Sequence, residues 1–324
     1  MKVKKMFKLV DVVNLVHPVP TSKNKDSLKK LTDGVLKSSG TWESKLSQAG
    51  QDASSKEELD EMKADAWREL LTDRKIGYFA LLRNLRNILQ HAPDLVTQAC
   101  ELLTDLNLIL NSRVLPFRFK TAYDEINKLP SDKNTRQVVI AIDKALDISA
   151  QNVPKFDGET LVVIDTSGSM NGKPSEIASL FGAILAKSNN CDVMTFDTSA
   201  RYESYNPNDS VITIRDSFSF RAGSTNFHNI FKEANKKYDR IIILSDMQGW
   251  VGNYTPVKEY SVYKSKFDCN PFIYSWDLQG YGTLQFPERN VFCLSGFSDR
   301  VFDVMKLLET DKNALVNEIN SIQI

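Results

Sequence analysis

The sequence predicts two domains of different class: an α-helical repeat array over residues 1–155, followed by a doubly wound α/β domain over residues 156–324. Three observations lead to that division. Up to Ser149, apolar residues recur at helical spacing between proline-marked connections. From Thr160, short apolar runs of strand length alternate with helical stretches. The length of 324 residues is enough for two domains, each with its own core.

In the first domain, Met6, Leu9, Val10, Val13 and Val16 are spaced for a helix that Pro18 and Pro20 stop. Residues 21–62 are polar and weakly patterned, and Gly50 to Ser55 reads as a mobile loop. Trp67, Leu70 and Leu71 begin a clearer pattern, and Tyr78, Leu81, Leu82, Leu85, Ile88 and Leu89 form a strong stripe. Leu95, Ala99, Leu102, Leu103 and Leu106 form another, begun by Pro93 and Asp94. Val138, Ile142, Ala145, Leu146 and Ser149 make the last helix before Pro154. Stacked helices with short connections describe a repeat array, although no fixed period emerges.

In the second domain the strand candidates are Leu161–Ile164, Val193–Phe196, Val211–Ile214, Ile241–Leu244, Phe272–Trp276 and Val291–Leu294. Helices are expected at Pro174–Lys187, Phe227–Lys237 and Pro256–Lys266, with Val301–Leu308 and Leu315–Ile319 closing the chain. Fully apolar strands separated by helices imply a parallel sheet covered on both faces, which binds its ligands at the carboxyl ends of the strands.

Composition narrows the function classes. Lys plus Arg and Asp plus Glu both number 41, so the whole chain is not a polybasic nucleic-acid binder. The first 50 residues nevertheless carry ten lysines against Asp11, Asp26, Asp33 and Glu43, a local hint of an anionic partner. Cys100, Cys191, Cys269 and Cys293 are widely spaced without a CxxC pair, so free thiols in a reducing, cytoplasmic compartment are expected, with Cys191 and Cys293 buried in strand-like runs. Neither a signal peptide nor a run of about 18 apolar residues is present. The three histidines, His17, His91 and His228, form no HExxH, so a zinc hydrolase has no support. Gly168–Pro174 misses the P-loop by one residue of glycine spacing and puts Pro174 where Ser or Thr is required, which argues against nucleotide hydrolysis.

The chemistry-bearing segments follow predicted strands. Asp165-Thr166-Ser167-Gly168-Ser169 follows the first, Gly223-Ser224-Thr225 precedes the Phe227 helix, and Ser245-Asp246 follows Ile241–Leu244. Their carboxylates (Asp165, Asp246) and hydroxyls (Ser167, Ser169, Thr225) are hard oxygen donors suited to one Mg²⁺ or Mn²⁺. So few protein ligands leave a position open for a partner's carboxylate or phosphate. A simpler reading makes the serines turn and capping residues and Asp165 a buried cap. The DxSxS, Thr, Asp order resembles the metal-ion-dependent adhesion site of the von Willebrand factor A family, and the resemblance implies that fold for residues 156–324.

A second resemblance covers the helices. Asp11-Val12-Val13-Asn14-Leu15-Val16-His17-Pro18 is similar to the "D-hydrophobic-hydrophobic-x-L-x-H-x-P" element of the TROVE domain, with Pro20 rather than Pro18 in the proline position of some members. Trp67-Arg68-Glu69-Leu70 with Ala80-Leu81-Leu82-Arg83-Asn84-Leu85 resembles its "W-x-x-L…A-L-L-R-N-L" signature, and Arg113-Val114-Leu115-Pro116-Phe117 its "R-x-x-P-F". The family is that of Ro 60-kDa autoantigen-like RNA-binding proteins, in which a HEAT-like helical-repeat ring precedes an A domain. The resemblance implies non-catalytic binding of small non-coding RNA, Y RNA on the outer surface and the ends of misfolded RNA in the central hole. It also makes a protein such as an exoribonuclease, or an acidic ligand at the metal site, an expected further partner. Relative to the family pattern the array is shortened at its N-terminal side, so a ring of different bore or a different closure is expected.

On that resemblance His17 maps to the RNA-binding region, and Lys4, Lys5, Lys8, Arg83, Arg86, Arg113 and Arg118 are looser candidates for phosphate contacts. Each has a structural alternative. His17 and Arg113 can end helices, the lysines can form a solvated face, and Arg83 and Asn84 can tie neighbouring helices together. The alternative function is a metal-dependent protein-interaction module with no RNA role. An enzyme is the least supported class, because no nucleophile–base pair can be placed.

Overall fold

In the computed structural model, residues 9–35, 42–189, 191–249, 256–283, 285–286, 289–295, 300–310 and 313–321 are described. The chain divides into two compact units, Met1–Ile76 and Gly77–Ile324.

The first unit holds α1 (Leu9–Val16), α2 (Lys25–Thr32), α3 (Trp42–Asp52) and α4 (Lys56–Thr72). The weakly patterned stretch is therefore largely helical, and α3 runs through Gly50, leaving only Ala53–Ser55 of the expected loop. Capping explains the restart. The Ser55 hydroxyl accepts the Glu58 N–H, and the Glu58 carboxylate accepts the Ser54 N–H, satisfying donors that the first helical turn leaves free. α3 packs on α4, with Lys45 paired to Glu69, and Trp67, Leu70 and Leu71 are fully buried.

The second unit opens with five helices: α5 (Tyr78–His91), α6 (Val96–Leu103), α7 (Leu106–Ser112), α8 (Pro116–Asn127) and α9 (Lys133–Ser149). The stripe from Leu95 to Leu106 is two helices, because Asp105 accepts the Leu108 N–H and starts α7 afresh. The change from helix to sheet falls between Asn152 and Thr160.

The sheet has order β3-β2-β1-β4-β5-β6, from β1 (Thr160–Asp165), β2 (Asp192–Phe196), β3 (Ala200–Glu203), β4 (Arg240–Ser245), β5 (Phe272–Asp277) and β6 (Val291–Ser295). All neighbours are parallel except β3, an antiparallel edge. The helices between and after the strands are α10 (Lys173–Asn189), α11 (Val211–Ser217), α12 (His228–Glu233), α13 (Val257–Phe267), α14 (Arg300–Thr310) and α15 (Ala314–Ser321).

One face of the sheet, with Leu161, Val163, Ile241 and Ile243, forms a core with Phe227, Phe231, Tyr260 and Tyr263 of α12, α13 and the turn before α12. On the other face lies α10, apolar almost all round because it is covered twice. It packs on β1, β2 and β4, and it also meets α8 and α11. Phe181 stacks on Phe117 of α8 at 6.5 Å and against Trp276 of β5 at 4.7 Å. The Ser188 hydroxyl donates to Ala150 O, and Asp147 of α9 accepts the Val211 N–H at 2.7 Å. These contacts place the later helices and the sheet in one compact unit.

Further points differ from the sequence reading. Val211–Ile214 is helical, not a strand: Ser210 caps Thr213, and Val211 and Ile214, three apart, are both buried, which outweighs β-branched propensity. The edge strand β3 has no apolar run and was not expected. Cys293 is exposed on the edge strand β6, whereas Cys100 and Cys191 are buried and burial pushes their thiols up to about 11 and about 12.

Candidate functional site

In the 3-2-1-4-5-6 order the connections leaving β1 and β4 diverge, opening a crevice at their carboxyl ends. Asp165 ends β1, and Asp246 directly follows β4. Both are fully buried, at 0% and 1% exposure. Asp165 Oδ1 accepts the Ser167 N–H at 2.8 Å, and Oδ2 accepts the Ser245 hydroxyl at 2.5 Å. Ser167 Oγ and Ser169 Oγ lie 3.2 Å apart.

The Thr225 loop is held against this turn by backbone bonds. Ala222 N–H donates to Thr166 O and Gly168 N–H to Gly223 O, both at 2.9 Å. The loop after β2 grips it from the other side, with Asn226 N–H donating to Asp197 O and Ser224 N–H to the Thr198 hydroxyl, both at 3.0 Å. Gly223 is required there, because a Cβ would stand 2.6 Å from Thr198 Oγ1 and 2.8 Å from Asp197 Oδ2. Gly223→Val is therefore expected to displace the Thr225 loop, and were the edge to hold Mg²⁺ the affinity would fall roughly 10–100-fold by calorimetric titration, as losses in supporting shells do.

Two residues that sequence reasoning missed belong to this edge. Asp197, 4% exposed, follows β2 as Asp165 and Asp246 end or follow theirs, and that position was its signal. Gln279 Nε2 donates to Ser169 O at 3.1 Å and to Asp246 Oδ2 at 3.4 Å. Asp277 sets Gln279 in place by accepting the N–H groups of Gln279, Gly280 and Gly282. No sequence motif announced that turn.

The donor set fits a hard cation on electrostatic grounds. Among the described residues no basic side chain pairs with Asp165 or Asp246. Burial raises Asp165 from 3.8 to about 6; its hydrogen bonds from Ser167 and Ser245 oppose that shift, and the nearby Asp246 charge adds to it. Two desolvated carboxylates without a counter-charge favour a bound cation. No group of three or more His, Cys, Asp or Glu side chains converges among the described residues, so a soft or nitrogen-rich site is not formed there. His228 is buried at the start of α12, its N–H donating to Asn226 Oδ1.

The sign of the pH dependence follows. The folded value of Asp165 lies above its unfolded value, so the folded, metal-free protein holds that proton more tightly. Its contribution favours folding most below pH 3.8 and is lost as pH rises through about 6. A cation must displace the proton below that point. Any rise in Tm on adding Mg²⁺ is expected to be smaller at about pH 5 than at about pH 8.

The arginine candidates divide. Arg83 and Arg86 of α5 and Arg118 of α8 line one open cleft of about 270 Å³ with Phe79. The hydrogen bonds of Asn84 stay within α5, to Ala80 O and from Asn87. Arg113 is exposed and ends α7 in a left-handed conformation (φ 52°). His17, exposed, likewise follows α1 at φ 46°, its N–H donating to Val13 O. Lys4, Lys5 and Lys8 lie outside the described residues.

Comparison with known proteins finds likenesses to part of the chain and to its fold. The pattern of the TROVE domain matches residues 34–157. Telomerase protein component 1 from Rattus norvegicus is 32% identical over 101 residues, 30% of this chain, and its Mus musculus counterpart is 34% identical over the same length. The chain spans only 3% of the length of those two relatives. The crystal structure of the Deinococcus radiodurans RO (RSR) protein superposes with a TM-score of 0.64 at 18% identity, covering 94% of this chain and 71% of that one, which is a likeness of fold. Residues 34–157 thus carry the pattern of the TROVE domain, and the chain has the fold of that structure, helices followed by a mostly parallel six-stranded α/β sheet.

Proposed function

We propose that this protein binds small, non-coding RNA of the Y-RNA or misfolded type without catalysis, and that its α/β domain holds one Mg²⁺ or Mn²⁺. The observation that carries the RNA reading is the TROVE match over residues 34–157. The arginines of α5 and α8 add positive charge on the same segment. Asp165, Ser167, Ser169, Thr225 and Asp246 would hold the ion, directly or through water. The ion would supply a positive centre with an open position for a carboxylate or phosphate of a partner. Ser245 and Gln279 keep the two carboxylates oriented toward it. No helix among the described residues is long and apolar enough to cross a membrane, and the buried free thiols fit the cytoplasm.

The test is a gel shift of the whole chain with structured small RNAs bearing single-stranded 3′ tails, at about 50 and about 200 mM salt. Affinity is expected to fall by a factor of ten or more between the two. No binding at the lower salt overturns the RNA reading. Partner capture that requires Mg²⁺ and no RNA would then select the protein-interaction module, which the buried, unpaired carboxylates of the α/β domain support by themselves.

A further inference from the structure

We infer that the cleft between α5 and α8 is a subsite for one unpaired nucleotide of RNA, with its base stacked on the Phe79–arginine platform and its phosphate on the guanidinium groups. The inference rests on the RNA-binding reading and names where and how a single strand is held.

Phe79 sits in the first turn of α5 and is 41% exposed, a large aromatic left at the surface. Arg83, one turn later, lies over its ring with the guanidinium carbon 5.6 Å from the centroid. Arg118, from the first turn of α8, lies over the same ring at 5.6 Å, and also 5.5 Å from Phe117. The result is a run of flat cationic and aromatic surfaces contributed by two helices. Leu85 and Ile126, both 2% exposed, form an apolar floor. Arg86 completes the rim. The nearby carboxylate, Glu125, stays ionised, and its charge is offset in part by Lys128, which donates to it at 2.5 Å, and by Arg86 beside it. Neither Arg83 nor Arg118 forms a side-chain ion pair among the described residues.

The chemistry selects the ligand. A free phosphate would use the guanidinium forks and leave the ring and floor in water. An aliphatic acid would use no stacking surface. A nucleotide uses both, because bases stack on aromatic rings and on arginine planes while the phosphate accepts from the forks. The volume of about 270 Å³ is near the lower limit for small-molecule sites, room for one residue and not a duplex. Paired bases are already stacked, so only an unpaired one can enter.

The experiment uses the full chain, a short single-stranded RNA carrying one 2-aminopurine, and a blunt RNA duplex of the same length. Phe79→Ala and Phe79→Leu are expected to weaken single-strand binding roughly fivefold or more, whereas Phe79→Trp keeps it, since only the last retains a stacking face. Arg83→Gln with Arg118→Gln is expected to lower the salt slope by about one or two phosphate contacts. Fluorescence of 2-aminopurine is expected to be quenched by the wild type and not by Phe79→Leu. Melting curves keep folding separate from binding. Single-strand binding that is tight, salt-sensitive and indifferent to all three Phe79 variants overturns the subsite and leaves the RNA reading intact. Failure of the wild type to bind either RNA removes the RNA reading and the subsite together.

Discussion

Arg240→Met is expected to destabilise the second unit by about 3–5 kcal/mol, the largest loss expected from any single change considered, because it breaks a buried ion pair from one side. Arg240 is 2% exposed at the start of β4. Its Nε donates to Glu309 Oε1 at 2.5 Å, and its terminal nitrogen pairs with Oε2, a bidentate clasp from the sheet to α14. The other terminal nitrogen donates to Thr160 Oγ1 at 2.7 Å, and the guanidinium lies 4.5 Å from the Phe156 ring. Tyr274 donates a further bond to Glu309 Oε1 at 3.0 Å. Removing the arginine leaves Glu309 desolvated without its partner. A fall in Tm of roughly 6–20 °C is expected for a domain of this size. The double change Arg240→Met with Glu309→Leu is expected to recover most of it, since an apolar pair of similar volume replaces buried ions at little cost. Thermal melting of the three variants checks this; a single variant as stable as the wild type would mean that the clasp contributes nothing.

Asp165→Asn is expected to abolish stabilisation by Mg²⁺ while leaving the metal-free protein as stable as the wild type or more stable at about pH 8. The amide keeps an acceptor for the Ser167 N–H and can still meet the Ser245 hydroxyl. It removes a buried charge that repels Asp246 and that burial disfavours. In the wild type, ion at about 100 times its dissociation constant adds about 2.7 kcal/mol, and the variant is expected to show none of it. Melting with and without Mg²⁺ reads both halves. An unchanged Mg²⁺ response in the variant would remove Asp165 from the ligand set.

How much of this was legible in the sequence differs by region. β1, β4 and β5 are buried along nearly their whole length, so their apolar runs carried the signal directly. The short, half-buried β3 carried none, and the Val211 segment misled because a capping serine outweighed its β-branched residues. That Asp165 and Asp246 meet at one sheet edge was legible because each sits where a strand ends, whereas Thr225 lies in the loop before α12 and reaches that edge through backbone bonds. Gln279 was not, because its approach to Asp246 depends on a turn organised by Asp277 across a different strand. Of the basic candidates, Arg83, Arg86 and Arg118 meet only because α5 packs on α8. The role of Phe79 is invisible until that pairing is known, since on its own helix it is merely a surface aromatic. His17 and Arg113 both occupy left-handed positions past helix ends, which gives each a structural reason to be there besides any contact with RNA.

The central claim is that RNA is held by the helical segment, and ultraviolet crosslinking of a small RNA with a single-stranded tail to the full chain, with crosslinked peptides identified by mass spectrometry, tests it most directly. Crosslinks in α5 and α8, between Tyr78 and Asn127, are expected. Crosslinks confined to residues 160–321, or none at a salt concentration where the RNA is retained, would contradict it.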